Sequence, residues 1–343
     1  MTTDLFLFGG TAPVPPQCRR PATPLPGWAP TGLKTAVLEL PPLRPRTAAT
    51  RIIPSLSVLT ERDHTFRFEA RSAGSRAWTA LSPVGPHPFA ASEPTDPRLR
   101  PEIDFYTASP PVEDVRLRVW VRSPKLAEVT RAPALIAVSA SDEAAGDGVA
   151  ADGRVALQVP ALSQMETPEG IGSRICSPTS VAMVLGYWKR PATPLDLAGE
   201  MFDPRHDLYG VWPAAIRAAA RHGVSGYLLR FPSWSAAAWC LEEGVPVVAS
   251  VRYGAGELAG AAIESTAGHL LVLTGYDGAT VLVNDPAAPT AREVPRRYAL
   301  ADLQRVWLER SGVGYVLFDT ARRRRERRVT ERGGRGSGPP PSS

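Results

Sequence analysis

From Thr35 to about Ser141 the chain alternates apolar and polar residues. Ala36-Val37-Leu38-Glu39-Leu40, Phe66-Arg67-Phe68-Glu69-Ala70 and, most regularly, Val115-Arg116-Leu117-Arg118-Val119-Trp120-Val121 repeat with a period of two. That period places successive side chains on opposite faces of a strand, one buried and one wet. Ala134-Leu135-Ile136-Ala137-Val138-Ser139 reads as a further strand. Proline and glycine punctuate the intervals, and nothing between the strands has a helical period. Residues 34–141 are therefore expected to form an antiparallel β-sandwich or jelly roll. Residues 1–33 hold seven prolines and few periodic apolar positions, which predicts an irregular lead-in. The Asp-, Gly- and Ala-rich stretch 142–154 is the expected linker.

After Val155 the period changes. Ser177–Trp188, Val211–His222 and Ser233–Glu243 have helical spacing, the second stopped by Gly223 and the third by Gly244, with Ser233 as its N-cap. Strands are predicted over Val245–Tyr253, His269–Tyr276 and Val281–Asn284, then a helix over Ala299–Glu309 and a strand over Val313–Phe318. Helices first and a sheet afterwards make 155–319 an α+β domain, and the whole chain multidomain.

Composition is that of a globular protein, with 43% hydrophobic and 21% charged residues. The net charge of +5 is set by the tail, because Ala321–Ser343 holds eight Arg and two Glu. That tail, 320–343, is expected to be a solvated, disordered basic extension, and no nucleic-acid partner is expected. Three cysteines make no disulfide framework. No run is long and apolar enough for a transmembrane helix or a signal peptide, so a cytoplasmic location is expected as the chain is written; an upstream start codon would change that to secretion.

Cys176 precedes Ser177-Pro178-Thr179-Ser180, a helix-start sequence, and so stands at a helix N-terminus. The partial positive charge and free N–H groups there favour the thiolate, the nucleophilic form of cysteine. His269 opens an apolar strand that returns through Asp277-Gly278 into Val281–Asn284. With Asp277 and Gly278 as the two turn residues, Asp285 faces Leu270 and lies beside His269. A carboxylate there orients an imidazole and stabilises its charged form. Gln164, twelve residues before Cys176, offers an amide that could donate to an oxyanion together with the Cys176 N–H. Each feature alone also has a bland reading: a buried thiol, a strand-edge histidine, a solvated loop amide. Asp277 is a rival orienter, but its turn position suits a structural role better.

Several of these motifs, in order, resemble the bacterial C39-like peptidase family. They are Ser163-Gln164-Met165, the run from Cys176 through Trp188, Gly210-Val211-Trp212-Pro213, Gly268-His269-Leu270-Leu271-Val272, Val283-Asn284-Asp285-Pro286-Ala287 and Gly312-Val313-Gly314-Tyr315-Val316. The resemblance covers 155–319. It implies a papain-like fold, with Cys176 as nucleophile, His269 as general base and acid, Asp285 as orienter and Gln164 in the oxyanion hole. It also implies a cysteine peptidase acting on a peptide or protein, without cofactor or metal. The sequence departs from many relatives at Ser177, where glycine is common, and in a longer loop between Gln164 and Cys176. An acyltransferase or amidase using the same thioester is the first alternative. A non-catalytic protein binding ligand through its sandwich is the second.

The remaining candidates read as structural. Cys240 sits in an apolar helix and is expected in the core. Cys18 is expected to be exposed. His206 and His222 lack a partner pattern. Trp212, Trp234 and Trp239 could line a cleft, although packing is the commoner use, and Phe66, Phe68 and Tyr106 are expected in the core.

Overall fold

The computed structural model describes residues 1–90, 95–147, 149, 151–168 and 170–320. The predicted tail thus lies outside the described residues, apart from Thr320. In the N-terminal half the elements are β1 (Thr3–Phe8), β2 (Ala29–Gly32), β3 (Thr35–Glu39), β4 (Ala49–Val58), β5 (Thr65–Ser72), β6 (Thr79–Ala80), β7 (Leu99–Pro101), β8 (Tyr106–Val112), β9 (Val115–Arg122), α1 (Leu126–Arg131) and β10 (Ala134–Ser141). They form two five-stranded antiparallel sheets, ordered β1-β10-β4-β8-β7 and β2-β3-β9-β5-β6.

The alternation along β9 is what the sequence predicted. Val115, Leu117, Val119 and Val121 are buried, while Arg116 is exposed. Arg118 and Trp120 lie on the outer face, where both bond the buried Glu69 carboxylate of β5. Phe66, Phe68 and Tyr106 are in the core as expected.

Two features of this half depart from expectation. The lead-in is irregular only in part, because Thr3–Phe8 pairs with β10 in register Thr3↔Ser141 to Phe8↔Ile136 and Ala29–Gly32 forms β2. Its Leu5-Phe6-Leu7-Phe8 run is apolar enough to make a strand despite the prolines that follow. Cys18 is accordingly buried and not exposed. In addition, α1 interrupts the β succession.

The C-terminal half contains β11 (Arg154–Ala156), α2 (Cys176–Tyr187), α3 (Pro194–Met201), α4 (Trp212–Arg221), β12 (Ser225–Arg230), α5 (Trp234–Glu242), β13 (Val247–Tyr253), β14 (Thr266–Asp277), β15 (Thr280–Asn284), β16 (Pro295–Ala299), α6 (Leu300–Leu303) and β17 (Val313–Phe318). Its sheet runs β12-β17-β13-β14-β15-β16, with β11 also pairing β14. Helix α6 passes directly into a π-helical stretch, Gln304–Leu308. Gly275 is required at one crossing, since a Cβ there would lie 2.1 Å from the Val155 carbonyl of β11.

The two halves meet along β12, and again along α4, where Arg217 donates to the His64 carbonyl. Strand β12 is an edge, and an edge presents unpaired N–H groups. Here serine hydroxyls from the facing sheet accept from them: Ser57 from Gly226 (3.4 Å), Ser55 from Leu228 (3.2 Å) and Ser139 from Arg230 (3.1 Å). Pairing of β4 with β10 sets Ser139 opposite Ile53 and Ser55 opposite Ala137, which puts all three serines on one sheet face. Both faces of β4 and β10 are therefore covered, and their sequences read as near-continuous apolar runs broken by small serines. The Arg230 guanidinium adds bonds to the Ser141 hydroxyl and the Asp142 carbonyl.

Ser55→Ala strands the Leu228 N–H in a dry interface. We expect a loss of about 1–3 kcal/mol in chemical denaturation. An unchanged midpoint would show that these hydroxyls do not secure the edge.

Candidate active site

Helix α2 is buried all round from Ser177 to Leu185, as a central helix must be. Two hydroxyls fix its position. The Ser180 Oγ donates to the Leu270 carbonyl of β14 at 3.2 Å, and the Ser177 Oγ lies 3.1 Å from the Tyr315 hydroxyl of β17. Ser180 is one helical turn beyond Cys176 on the same helix face, and Leu270 follows His269 directly. This clamp brings the half-buried Cys176 against His269. The Ser177 side chain is thus occupied by Tyr315.

His269 is buried on β14, and its Nε2 lies 2.7 Å from Asp285 Oδ1. The Cys176 thiol lies close enough to the ring for each to shift the other's titration, so the imidazole has an acidic neighbour besides Asp285. Asp285 is completely buried. Its Oδ1 also accepts from the Ala287 N–H at 3.1 Å, and its Oδ2 accepts from the Tyr298 hydroxyl at 2.7 Å. Tyr298 comes from β16, a strand whose Pro295-Arg296-Arg297-Tyr298-Ala299 sequence lacks apolar alternation and so was not expected.

Asp285 reaches His269 by a register other than the expected one. Thr280 pairs with Asp277, so Gly278, at φ +56°, and Ala279 form the turn. A bulge between Leu273 and Gly275 shifts the ladder once more, and β15 ends at Asn284. Asp285 then leaves the ladder, with its N–H on the Val294 carbonyl. Asp277 stands at the hairpin end beside Arg297, away from the imidazole.

Gln164 is buried, with its backbone N–H on the Pro286 carbonyl next to Asp285. Its side-chain Oε1 is buried without a hydrogen-bond partner among the described residues. The loop back to Cys176 packs tightly against it, since a Cβ on Gly172 would lie 2.8 Å from the Gln164 carbonyl oxygen.

The electrostatics follow from burial and pairing. Burial pushes the Cys176 thiol up, but the His269 hydrogen bond and charge and the N–H groups of Leu270 and Ser177 bring it below the ordinary value. Burial pushes His269 down, and Asp285 and Cys176 together raise it well above the imidazole range. Burial pushes Asp285 up, and His269, Tyr298 and the Ala287 N–H hold it below the carboxylate range. The set therefore favours a thiolate–imidazolium pair over two neutral groups. By contrast, burial pushes Cys18 up to about 12. Cys240 is buried in α5 as expected.

Cys176 opens onto a cleft of about 590 Å³, lined by Trp212, Tyr209, Ser250 and Gly268 and by residues of the N-terminal sheets. Trp234 is fully buried and belongs to the core. His206 and His222 sit 3.1 Å from Asp203 and Glu200 respectively, partners the sequence did not reveal. Among the described residues no group of three or more His, Cys, Asp or Glu side chains is placed to hold a metal ion. No described helix is long and apolar enough to cross a membrane.

Residues 156–315 match the model of the Peptidase_C39 like family, so the chain carries a C39-like family segment. The solved structures similar to it include the following three. One is a double glycine motif protease from an AMS/PCAT transporter in complex with the leader peptide (19% identity, covering 50% of this chain and 99% of that one, TM-score 0.33). Another is a C39-like peptidase from Bacillus anthracis (18%, 48% and 98%, TM-score 0.37). The third is the peptidase domain of Streptococcus ComA, a bi-functional ABC transporter involved in a quorum sensing pathway (13%, 47% and 98%, TM-score 0.34). No curated protein matches the chain.

Tyr298→Phe removes the donor to Asp285 Oδ2. Because the folded pKa of Asp285 is depressed, its stabilisation is present above about pH 3.9 and is lost as pH falls through the folded value. In the variant that folded value rises. We expect a stability loss of about 1–3 kcal/mol at pH 7 and an acid transition moved to higher pH, read by denaturation at stepped pH. A superimposable acid limb would contradict the role given to Tyr298.

Proposed function

We propose that this chain is a cysteine peptidase built on Cys176, His269, Asp285 and Gln164. The observation that carries the proposal is the buried imidazole of His269, bonded to the Asp285 carboxylate and close to a thiol at a helix N-terminus, inside a C39-like segment. We read residues 3–141 as a β-sandwich domain of jelly-roll type, 142–154 as a linker and 155–319 as a papain-like domain. The N-terminal boundary moves from 34 to 3 because β1 belongs to the first sheet.

In this reading His269 takes the Cys176 proton, and the thiolate sulfur attacks the carbonyl carbon of a peptide bond. The carbonyl electron pair moves onto oxygen, where the Gln164 amide and the Cys176 N–H stabilise it. As the first residue of α2, Cys176 has no intrahelical acceptor for that N–H. The tetrahedral intermediate collapses, the C–N bond breaks, and His269 returns the proton to the leaving amine. Water, deprotonated by the same ring, then cleaves the thioester and releases the acid. Asp285 stabilises the imidazolium throughout and holds the ring with its other nitrogen toward sulfur.

Cys176→Ala is expected to abolish peptide hydrolysis while leaving the far-ultraviolet circular dichroism unchanged. Gln164→Ala should lower kcat by about 10²–10³. Turnover that survives Cys176→Ala would refute the proposal.

A further inference from the structure

The cleft at Cys176 is not built by the C39-like segment alone. Arg51 of β4, together with Asp104 and Phe105 just before β8, lines it from the N-terminal half. These residues are docked onto the segment by specific contacts. Asp104 Oδ1 accepts from the Trp212 N–H at 2.9 Å, which puts a carboxylate on the N-terminus of α4. The Phe105 ring stacks on Trp212 with centroids 5.9 Å apart and planes inclined by 13°. The Arg51 guanidinium lies over the Phe105 ring, 5.0 Å from its centroid, and donates to the Ser311 carbonyl at 3.2 Å.

The charge inventory of the cleft is uneven. Four arginines line it against two aspartates. Arg310 is committed to Glu257 through bonds of 2.6 and 2.7 Å, and Arg174 to Asp207 at 2.8 Å. Asp104 is committed to α4, and burial pushes its carboxyl up to about 7, which weakens its opposition to an incoming anion. Arg51 is half-buried and spends one N–H on a carbonyl. Glu102 and Glu143 act on it through space, but it forms no ion pair among the described residues. A guanidinium desolvated in this way, held over a ring and without an ion-pair partner among the described residues, is suited to a carboxylate. Arg252, exposed on the β13 bulge, adds a second positive charge to the same cleft.

We propose that the N-terminal sheets supply the specificity determinant of this cleft: Arg51, seated on the Phe105–Trp212 stack, binds a carboxylate side chain of the substrate, so the preferred substrates are peptides with Asp or Glu close to the scissile bond. The inference rests on the peptidase reading above. It gives the N-terminal half a direct part in substrate selection, beyond covering the edge of β12.

The test is digestion of a diverse peptide library by the full chain, with residues on both sides of each cut read by mass spectrometry. Cys176→Ala run in parallel separates the two claims. Cuts that vanish in Cys176→Ala establish the peptidase reading, and their sequences then decide this inference. The expected result is at least about tenfold enrichment of Asp or Glu over Asn or Gln at one position, the effect of one charge-assisted pair. That enrichment should fall as salt rises. Arg51→Gln should flatten it, and Arg51→Glu should turn it toward Lys and Arg at the same position. Both are ratios within one protein, so partial unfolding does not imitate them. Cys176-dependent cuts without an acidic preference, or a preference that survives Arg51→Glu, would overturn the inference and leave the peptidase reading standing. Absence of Cys176-dependent cuts would overturn both.

Discussion

Asp285 is a carboxylate with no access to water, and much of the C39-like segment is arranged around that fact. An ionised carboxylate in the interior must be paired and hydrogen-bonded, or it protonates. Three donors meet it: the His269 ring, the Tyr298 hydroxyl and the Ala287 N–H. Meeting them requires three consecutive pieces of chain. β14 has to deliver His269, β15 has to stop one residue short of Asp285, and β16 has to return beside it with Tyr298. The bulge between Leu273 and Gly275 adjusts the ladder between them. Once the carboxylate is secured the imidazole orientation follows, and its second nitrogen is left for the sulfur at the head of α2. The Ser180–Leu270 bond then joins the helix to the strand beside the ring.

The same segment depends on the N-terminal sheets at its other end. β12 offers a row of N–H groups, and three small hydroxyls accept from them. Serine suits this place because a larger side chain would hold the strand away and alanine would leave the donors dry. From this seam the interface continues through Asp104 and Phe105 to the rim of the cleft. Edge protection and a share of the cleft wall thus come from one surface, so the two halves form a common structural unit.

Much of this was legible in the sequence, for identifiable reasons. Helix α2, the hairpin of β14 and β15, and strand β17 carry strong apolar patterns with clear stop signals, and they lie where those patterns put them. Asp285 lies beside His269 across that hairpin, as expected, although the turn falls one residue later than Asp277-Gly278. The correct pairing needs Gly278 at φ +56° and a bulge, and local pattern fixes neither. Elements without apolar periodicity were not legible: β16 with its two arginines, β12 with its short Gly-interrupted run, and β1 beneath a proline-rich stretch. Tyr298 and Arg51 lie far from Cys176 in sequence, and only tertiary packing reveals their parts. Cys18 illustrates the converse, since a polar neighbourhood in sequence ended in the core.

The central claim is that Cys176 and His269 share a proton as a thiolate–imidazolium pair. Native alkylation of the three cysteines across pH 4–9, read by peptide mass spectrometry, tests it most directly. Cys18 and Cys240 are buried and serve as internal controls. The account predicts that Cys176 alone reacts, that its rate persists well below the free-thiol range near pH 8.5, and that His269→Ala restores an ordinary or higher thiol pKa. A Cys176 that titrates like a free thiol, or that reacts identically in His269→Ala, would contradict it.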